Sequence, residues 1–251
     1  MRTTTHPSLL ARSAGMVDAD TCPDLLDAPG PPLTARDQAD SEMLERLLHA
    51  SWYRDAATGA HLARTRWYTY TAACWLGVPP PEATRMATAA PMHDVGKIGI
   101  PDAVLQKRGP LTAAEWQVMQ RHTRIGASLL AGSSSALLEM ARHIALTHHE
   151  RWDGSGYPQG LRGEESPLAG RLVMLGDQYD ALRSARPYKP ALDHATTCAI
   201  LLQGDGRTLP AHFEPRLLEA FRANHQAFEA IYTRVSDAHE GCVADTAARG
   251  T

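Results

Sequence analysis

The stretch Pro91-Met92-His93-Asp94-Val95-Gly96-Lys97-Ile98-Gly99-Ile100-Pro101-Asp102 lies between two segments that are both patterned as helix. On its N-terminal side a helix is predicted from Pro81 towards His93, although Pro91 lacks the N–H that would continue the backbone hydrogen bonds. Residues 96–101 are predicted as a loop because glycine and proline punctuate them. On its C-terminal side, Thr112-Ala113-Ala114-Glu115 has the arrangement of a capping box and predicts the start of the next helix.

Helical patterning continues outward in both directions. Apolar residues recur at three- and four-residue spacing from Asp37, and a second predicted helix runs from His61 to Gly77, a suitable C-cap. Further helices are predicted over residues 136–150, from the cap pair Ser166-Pro167 to about residue 184, and over residues 190–203 and 214–234. Because an alternating strand pattern is absent from the sequence, the fold class predicted is all-α, a multi-helix bundle.

The domain organisation follows from composition. Residues 1–36 contain few large apolar side chains and are predicted as a flexible leader, because such a segment cannot bury enough surface to offset its ordering entropy. The helical domain is predicted over residues 37–236, and residues 237–251 form a polar tail. Within the domain, the glycine-rich segment Asp153–Gly163 is predicted as a long loop, and loops of this length often carry function.

Charge and cysteine content exclude several classes of protein. The formal net charge is −3, so there is no general basic field for DNA, RNA or an anionic membrane. The four cysteines, Cys22, Cys74, Cys198 and Cys242, form no CxxC pair, which argues against a zinc knuckle or a dense disulfide framework. The sequence contains neither a secretion signal nor an apolar run long enough to span a bilayer. A cytoplasmic protein is therefore predicted.

Histidine is unusually frequent, with 12 residues against 3 phenylalanines. The pair His93-Asp94, taken alone, is usually a surface or capping pair, and the run His148-His149-Glu150 is usually one core and one exposed imidazole. However, the candidate groups recur at steps of about 30 residues, which in an up-and-down bundle returns the chain to the same end. The candidates at these steps are His61, His93, Asp94, His122, His148, His149 and Asp177. Imidazole and carboxylate groups converging there would suit divalent cations.

The sequence also resembles the HD-GYP family, a bacterial branch of the HD-domain metal-dependent phosphohydrolases that acts on cyclic di-GMP. The resemblance covers about Ala50 to Phe221. It rests on residues 58–64, residues 91–102, Leu111-Thr112, Glu115-Trp116, Met119, His122, residues 148–158, residues 176–182 and Arg186-Pro187-Tyr188-Lys189. It implies an HD-domain bundle whose long loop, residues 153–163, contains Gly156-Tyr157-Pro158 and is called the GYP loop below.

The resemblance implies a dinuclear centre of iron or manganese. One ion would be held by His61, His93 and Asp177, and the other by His122, His148 and His149. Asp94 would bridge them. Some relatives bind a third metal through a glutamate at the position that is Ala57 here, so two divalent ions are predicted. The implied chemistry is attack by a metal-bridging hydroxide on a phosphodiester, with Asp94 and Lys97 as the catalytic residues.

Other residues are expected to support substrate or ligands. Lys97, Arg186, Lys189, Gly156 and Tyr157 are predicted to contact the substrate. Lys97 is also placed to pair with Asp180. Asp180 is expected to orient Lys97 or a metal-bound water. Glu150 and Asp153 are expected either to accept hydrogen bonds from the ligand imidazoles or to anchor the loop through a salt bridge. The remaining histidines are predicted to be ordinary surface or core residues; they are His6, His49, His143, His194, His212, His225 and His239.

The leading functional hypothesis is a phosphodiesterase that opens cyclic di-GMP to pGpG; the sequence leaves open whether pGpG or GMP is the end product. One alternative is a phosphohydrolase for another cyclic dinucleotide, because no motif visibly recognises guanine. The other is a non-catalytic nucleotide receptor or adaptor that binds a protein partner through the GYP loop. No nucleic-acid polymer and no membrane is expected as a partner, and the sequence does not determine the oligomeric state.

Overall fold

The computed structural model describes residues 35–52, 59–185 and 190–235. Within these ranges the chain is helical, as predicted, and its β-structure is limited to one isolated bridge between Asp153 and Arg162. The α-helices are α1 (Ala35–Trp52), α2 (Gly59–Trp75), α3 (Pro80–Ala89), α4 (Asp102–Leu105), α5 (Ala113–Leu129), α6 (Ala136–Thr147), α7 (Leu168–Arg183), α8 (His194–Gln203) and α9 (Pro215–Asn224), followed by helical residues 226–235. Residues 90–99, 163–165 and 210–212 form 3-10 helices. The expected leader lies outside the described residues except for residues 35 and 36, and the expected tail lies outside them entirely.

The predicted capping box starts α5. The Thr112 hydroxyl accepts a hydrogen bond from the Glu115 backbone N–H at 3.3 Å, and the Glu115 carboxylate accepts one from the Thr112 N–H at 2.7 Å. Lys107 donates to the same carboxylate at 2.6 Å. These hydrogen bonds satisfy N–H groups that the first helical turn leaves free, and they fix where α5 begins. The position of His122, almost three turns into α5, depends on this start.

The segment that joins α3 to α4 differs from its prediction. The helix expected to run from Pro81 to His93 ends at Ala89, and Ala90–Gly99 continues as a 3-10 helix, so residues 96–99 are not loop. Pro91 is accommodated at the start of this tighter helix, where its missing N–H breaks no α-helical hydrogen bond. A 3-10 run of this length is uncommon and is a recognised feature of functional segments. It packs mainly against α5 and α6.

Two other helix ends are shifted from the predictions. The helix expected to reach Glu150 ends at Thr147, with His148 as its C-cap. The helix expected to begin on Ser166-Pro167 begins at Leu168, and Pro167 rather than Ser166 occupies the N-cap position. The Ser166 hydroxyl is buried and makes no hydrogen bond within the described part of the chain. The Ser166 prediction was therefore wrong, whereas the α7 span is close to the expected one.

A cluster of buried aromatic rings packs α2, α7 and α9 together with residues 226–235. The Phe228 ring lies 4.4 Å from Tyr68, 5.3 Å from Tyr179 and 5.4 Å from Phe221, measured between ring centroids. All four side chains are fully buried. Burying an aromatic side chain stabilises the fold by about 2 kcal/mol, so this cluster fixes α2 and α7 relative to each other. Among the described helices, none combines the length and the apolarity needed to cross a bilayer.

Candidate metal centre

Five segments bring the predicted ligands to one end of the bundle. α2 supplies His61, α5 supplies His122, α7 supplies Asp177, and the 3-10 helix supplies the adjacent His93 and Asp94. The C-terminal end of α6 supplies the remaining two, His148 and His149. The ligand atoms form two groups, each with all members within 4.8 Å of one another: Asp94 with His122, His148 and His149, and His61 with His93 and Asp177. All seven predicted ligands are therefore brought together.

The Asp94 carboxylate lies between the two groups. Its Oδ1 is 3.4 Å from His122 Nε2 and 3.7 Å from His148 Nε2, whereas its Oδ2 is 3.3 Å from His93 Nε2. Asp177 stands on the other side, with Oδ1 3.6 Å from His61 Nε2 and 3.9 Å from His93 Nε2. One carboxylate thus presents an oxygen to each group, which is the arrangement of a bridging ligand.

Four of the imidazoles are held by their outer nitrogen. His93 Nδ1 is 3.0 Å from the Ala90 carbonyl, His122 Nδ1 is 2.7 Å from the Met119 carbonyl, and His148 Nδ1 is 3.2 Å from the Ile144 carbonyl. His61 Nδ1 is 2.8 Å from Asp180 Oδ2. An N–H at Nδ1 that donates to these acceptors leaves the lone pair on Nε2, as metal-binding histidines require. The Nε2 atoms face the centre of the cluster, where those of His122 and His148 lie 3.3 Å apart.

Two buried polar atoms in the middle of the cluster indicate whether the site suits a cation. His93 Nε2 and Asp94 Oδ1 are shielded from solvent and make no hydrogen bond with any described residue. An unpaired polar atom in the interior is costly, and the cost is removed by a bound cation. The mixed nitrogen and oxygen donors suit a divalent transition metal. The residues present therefore fit metal ions.

Burial and charge favour the metal-binding protonation states of most ligands. Burial lowers the pKa of His149 to about 3, and it also lowers the pKa values of His122 and His148. For His93, burial opposes protonation, but the adjacent Asp94 carboxylate outweighs it and raises the pKa to about 9. For Asp94, burial is outweighed by Lys97 and His93, which hold its pKa well below the ordinary range.

Lys97 and Asp180 do not pair as expected. The Lys97 ammonium lies 2.8 Å from Asp94 Oδ2, whereas buried Asp180 binds His61 and the guanidinium of Arg64, whose Nη2 donates to Oδ2 at 2.8 Å. Arg64 was missed by the sequence reasoning. Its position three residues after His61, on the same face of α2, was the available signal. Asp180 thus orients a ligand histidine rather than Lys97.

Glu150 and Asp153 anchor the loop and contact no ligand imidazole by a hydrogen bond. Buried Glu150 accepts from the backbone N–H groups of Gln159 at 2.7 Å and Leu161 at 3.0 Å. Asp153 accepts from the Ser155 N–H at 2.9 Å and from its hydroxyl at 2.7 Å. Loop backbone N–H groups need acceptors, and these two carboxylates are close enough in sequence to supply them. The two carboxylates therefore anchor the loop through hydrogen bonds from backbone and hydroxyl groups rather than through the expected salt bridge.

The GYP loop covers the ligands on one side. The Tyr157 ring stacks on His149 at 4.7 Å and is met edge-on by Trp116 at 5.9 Å. Gly156 lies so close to the preceding backbone that an added Cβ would stand 2.5 Å from the His149 carbonyl oxygen. Arg124 donates to the Pro158 carbonyl at 3.1 Å. Glycine at position 156 therefore allows the loop to return over the metal ligands. Ala57, Arg186 and Lys189, named in the predictions, lie outside the described residues.

Comparisons with known proteins agree with this geometry. A family model described as an HD domain matches residues 41–209. A Vibrio cholerae serotype O1 protein named a cyclic di-GMP phosphodiesterase is 48% identical over an alignment of 198 residues, and the alignment covers 74% of this chain and 39% of that protein. The Xanthomonas campestris response regulator RpfG, also named a cyclic di-GMP phosphodiesterase, is 44% identical over 80% of this chain and 52% of its own length.

Two further relatives extend the comparison. A Vibrio cholerae protein named 3'3'-cGAMP-specific phosphodiesterase 2 is 38% identical over 80% of this chain and 38% of its own length. A solved HDG"Y"P protein from Bdellovibrio bacteriovorus shares the fold, with a TM-score of 0.51 at 18% identity over 66% of this chain and 51% of that one. The chain spans about two fifths to a half of the length of these relatives. It belongs to the HD-domain family, and the expectation of an HD-GYP member is confirmed.

Proposed function

We propose that this chain is a metal-dependent phosphodiesterase that hydrolyses cyclic di-GMP to pGpG and on to GMP. The observation that carries the proposal is the pair of ligand groups arranged about the Asp94 carboxylate, with the Nε2 atoms of His93 and His122 3.3 and 3.4 Å from its two oxygens. The names of the two most similar relatives described above supply the substrate class. A receptor that only binds nucleotide would have no use for buried, unpaired His93 Nε2 and Asp94 Oδ1.

We propose two divalent ions, iron or manganese, divided between the two groups of ligands. Such ions would supply positive charge for the phosphate oxygens and make a water molecule acidic enough to act as nucleophile near neutral pH. The protein's part is to hold the ligands before the substrate arrives. Asp94 would serve both groups. His61 is fixed by Asp180 and Arg64, so its nitrogen does not have to reorganise on binding.

Substrate contacts are assigned to the cations and donors at the edge of the cluster. Lys97 is a quarter exposed beside Asp94, so its ammonium can reach a phosphate oxygen while remaining near the ligands. Gly156 and Tyr157 of the GYP loop lie over His149 and would contact the nucleotide or a protein partner. Arg186 and Lys189 are proposed as further phosphate contacts. With a net charge of −3, binding of the anionic substrate depends on these local cations.

A cytoplasmic, bacterial location is part of the proposal. It rests on the spacing of the four cysteines, which are far apart and form no CxxC pair, as is usual in a reducing compartment.

Lys97→Met should lower kcat/KM for cyclic di-GMP about 100-fold, because it removes a positioned donor to developing phosphate charge. Its metal content should stay within twofold of the parent protein. Lys107→Met is the matched control, since Lys107 also pairs with a carboxylate, Glu115, but belongs to the α5 cap. Steady-state hydrolysis and metal analysis of both variants check this. Equal losses in the two variants would refute a substrate contact for Lys97.

The decisive experiment is hydrolysis by metal-loaded protein. The chain is purified without oxygen, loaded with Fe²⁺ or Mn²⁺, and given cyclic di-GMP and 3'3'-cGAMP in parallel, with products identified by chromatography. Consumption of cyclic di-GMP to pGpG and GMP is expected. A higher kcat/KM for 3'3'-cGAMP would transfer the proposal to that alternative substrate, which one relative's name favours. Metal-loaded protein inactive on both would overturn a phosphodiesterase function.

A further inference from the structure

A second cluster of metal-ligating side chains lies where α8 meets the C-terminal helical segment. His194 and Cys198 are one turn apart on α8, and His225 and Glu229 are one turn apart at the end of α9 and in residues 226–235. Residues four apart on a helix share a face, so each pair presents two donors to the other. Neither histidine belongs to the Asp94 centre, and both were expected to be ordinary surface or core residues.

The distances between donor atoms are those of a small coordination site. His194 Nε2 is 2.8 Å from His225 Nδ1, 3.6 Å from Cys198 Sγ and 3.7 Å from Glu229 Oε2. With zinc bonds of about 2.0 Å to nitrogen and 2.3 Å to sulfur, tetrahedral geometry places a nitrogen about 3.5 Å from a sulfur. The ligand atoms of His194, Cys198 and His225 all lie within 4.8 Å of one another. The Glu229 carboxylate approaches this group through His194 and would have to turn towards Cys198 and His225 to complete a tetrahedron.

The surroundings are those of a metal-binding histidine. The Tyr179 hydroxyl lies 2.7 Å from His194 Nδ1, so it can accept a hydrogen bond from Nδ1–H and leave the Nε2 lone pair to bind a metal. Cys198 is buried and His194 and His225 are half-buried, which shields a bound ion from water. Arg183 Nη1 is 3.8 Å from Glu229 Oε1 and balances the negative charge of the added ligands.

We propose that His194, Cys198, His225 and Glu229 form a second metal site that takes a tetrahedral divalent ion such as Zn²⁺. Two nitrogens, one sulfur and one carboxylate oxygen form a donor set that zinc accepts in proteins. On binding, the Cys198 S–H bond breaks, its proton passes to solvent, and the thiolate donates to the ion. The ion fastens residues 226–235 to α8 and so closes the C-terminal side of the bundle.

Cobalt substitution of the full chain tests this site separately from the Asp94 centre. None of the seven ligands of that centre contains sulfur, so a near-ultraviolet thiolate-to-cobalt band reports only cysteine coordination. Metal-free protein titrated with Co²⁺ should develop this band with the intensity of one thiolate-bound Co²⁺ per chain once the Asp94 centre is also filled, and added Zn²⁺ should abolish it. Cys198→Ser should lose the band. The matched control Cys74→Ser removes another thiol in the described part of the chain and should keep it.

Three results would overturn the proposal. Wild-type protein without a thiolate band would leave Tyr179, His194 and His225 as a hydrogen-bonded chain only. A band that persists in Cys198→Ser would place the sulfur ligand elsewhere. Should Cys198→Ser fail to fold, half-buried His225→Gln serves instead. It should raise the Co²⁺ concentration for half-maximal band intensity at least tenfold, and an unchanged titration would refute the site.

Discussion

Replacing Asp94 with Asn should reduce hydrolysis of cyclic di-GMP at least about a thousandfold, which corresponds to about 4 kcal/mol of transition-state stabilisation. The expected loss of activity follows from the position of the Asp94 carboxylate. Asp94 is the carboxylate whose oxygens face both ligand groups, at 3.3 Å from His93 and 3.4 Å from His122. An amide is a poor ligand for transition metals and carries no charge, so the variant should also hold at most half of the metal of the parent protein.

Asp102→Asn is the matched control for Asp94→Asn, because Asp102 follows the same 3-10 helix but has an exposed side chain. Its activity and metal content should stay within twofold of the parent. Metal analysis and product release should be measured on the same samples of both variants. Full activity in Asp94→Asn, or a loss of equal size in Asp102→Asn, would contradict the central role given to the Asp94 carboxylate.

Gly96→Ala should lower the free energy of unfolding by about 3 kcal/mol and remove most activity. A Cβ at position 96 would stand 1.9 Å from the His122 carbonyl oxygen and 2.4 Å from the Gly126 N. Both atoms belong to the α5 backbone, so the clash cannot be relieved by turning a side chain. The 3-10 helix would have to move away from α5, and the distance between His93 and His122 would change with it.

Gly99→Ala in the same 3-10 helix is the control for Gly96→Ala. Its added Cβ would meet only the Ile125 side chain, at 3.0 Å and beyond, and that side chain can shift. We expect a loss below about 1 kcal/mol for Gly99→Ala. Urea denaturation followed by far-ultraviolet circular dichroism, together with activity, would measure the difference. Equal stability of the two variants would show that the 3-10 helix is not held against α5 as described.

The helical fold and the ligand positions were accessible from the sequence because each depends on local spacing. The capping box at Thr112 and Glu115 marked the start of α5 correctly, since both partners lie within one turn. The recurrence of histidine and aspartate at about 30-residue steps placed the seven ligands at one end of the bundle. Spacing of this kind can be read from the sequence without knowledge of the tertiary contacts.

The remaining features depend on contacts between distant segments. Asp180 binds Arg64, which is 116 residues away. The spacing of Arg64 from His61 places both on one face of α2, but it does not show that this face packs against Asp180. The 3-10 helix at residues 90–99 is held by packing on α5 and α6, and this packing overrides the loop-forming tendency of Gly96 and Gly99. His194 and His225 are 31 residues apart, and only the packing of α8 against the C-terminal helical segment brings them together.

The hydrogen bonds made by Nδ1 divide the four oriented imidazoles into two kinds, those with an acceptor in the same helix and one with an acceptor on another helix. His93, His122 and His148 are oriented by carbonyls three or four residues earlier in their own helices, so their ring orientations survive as long as those helices do. His61 is oriented by Asp180 on α7, across an interface between α2 and α7. Any loosening of that interface would misalign His61 first. As the fold loosens, the histidines whose Nδ1 acceptors lie in their own helix should therefore keep their orientation longer than His61.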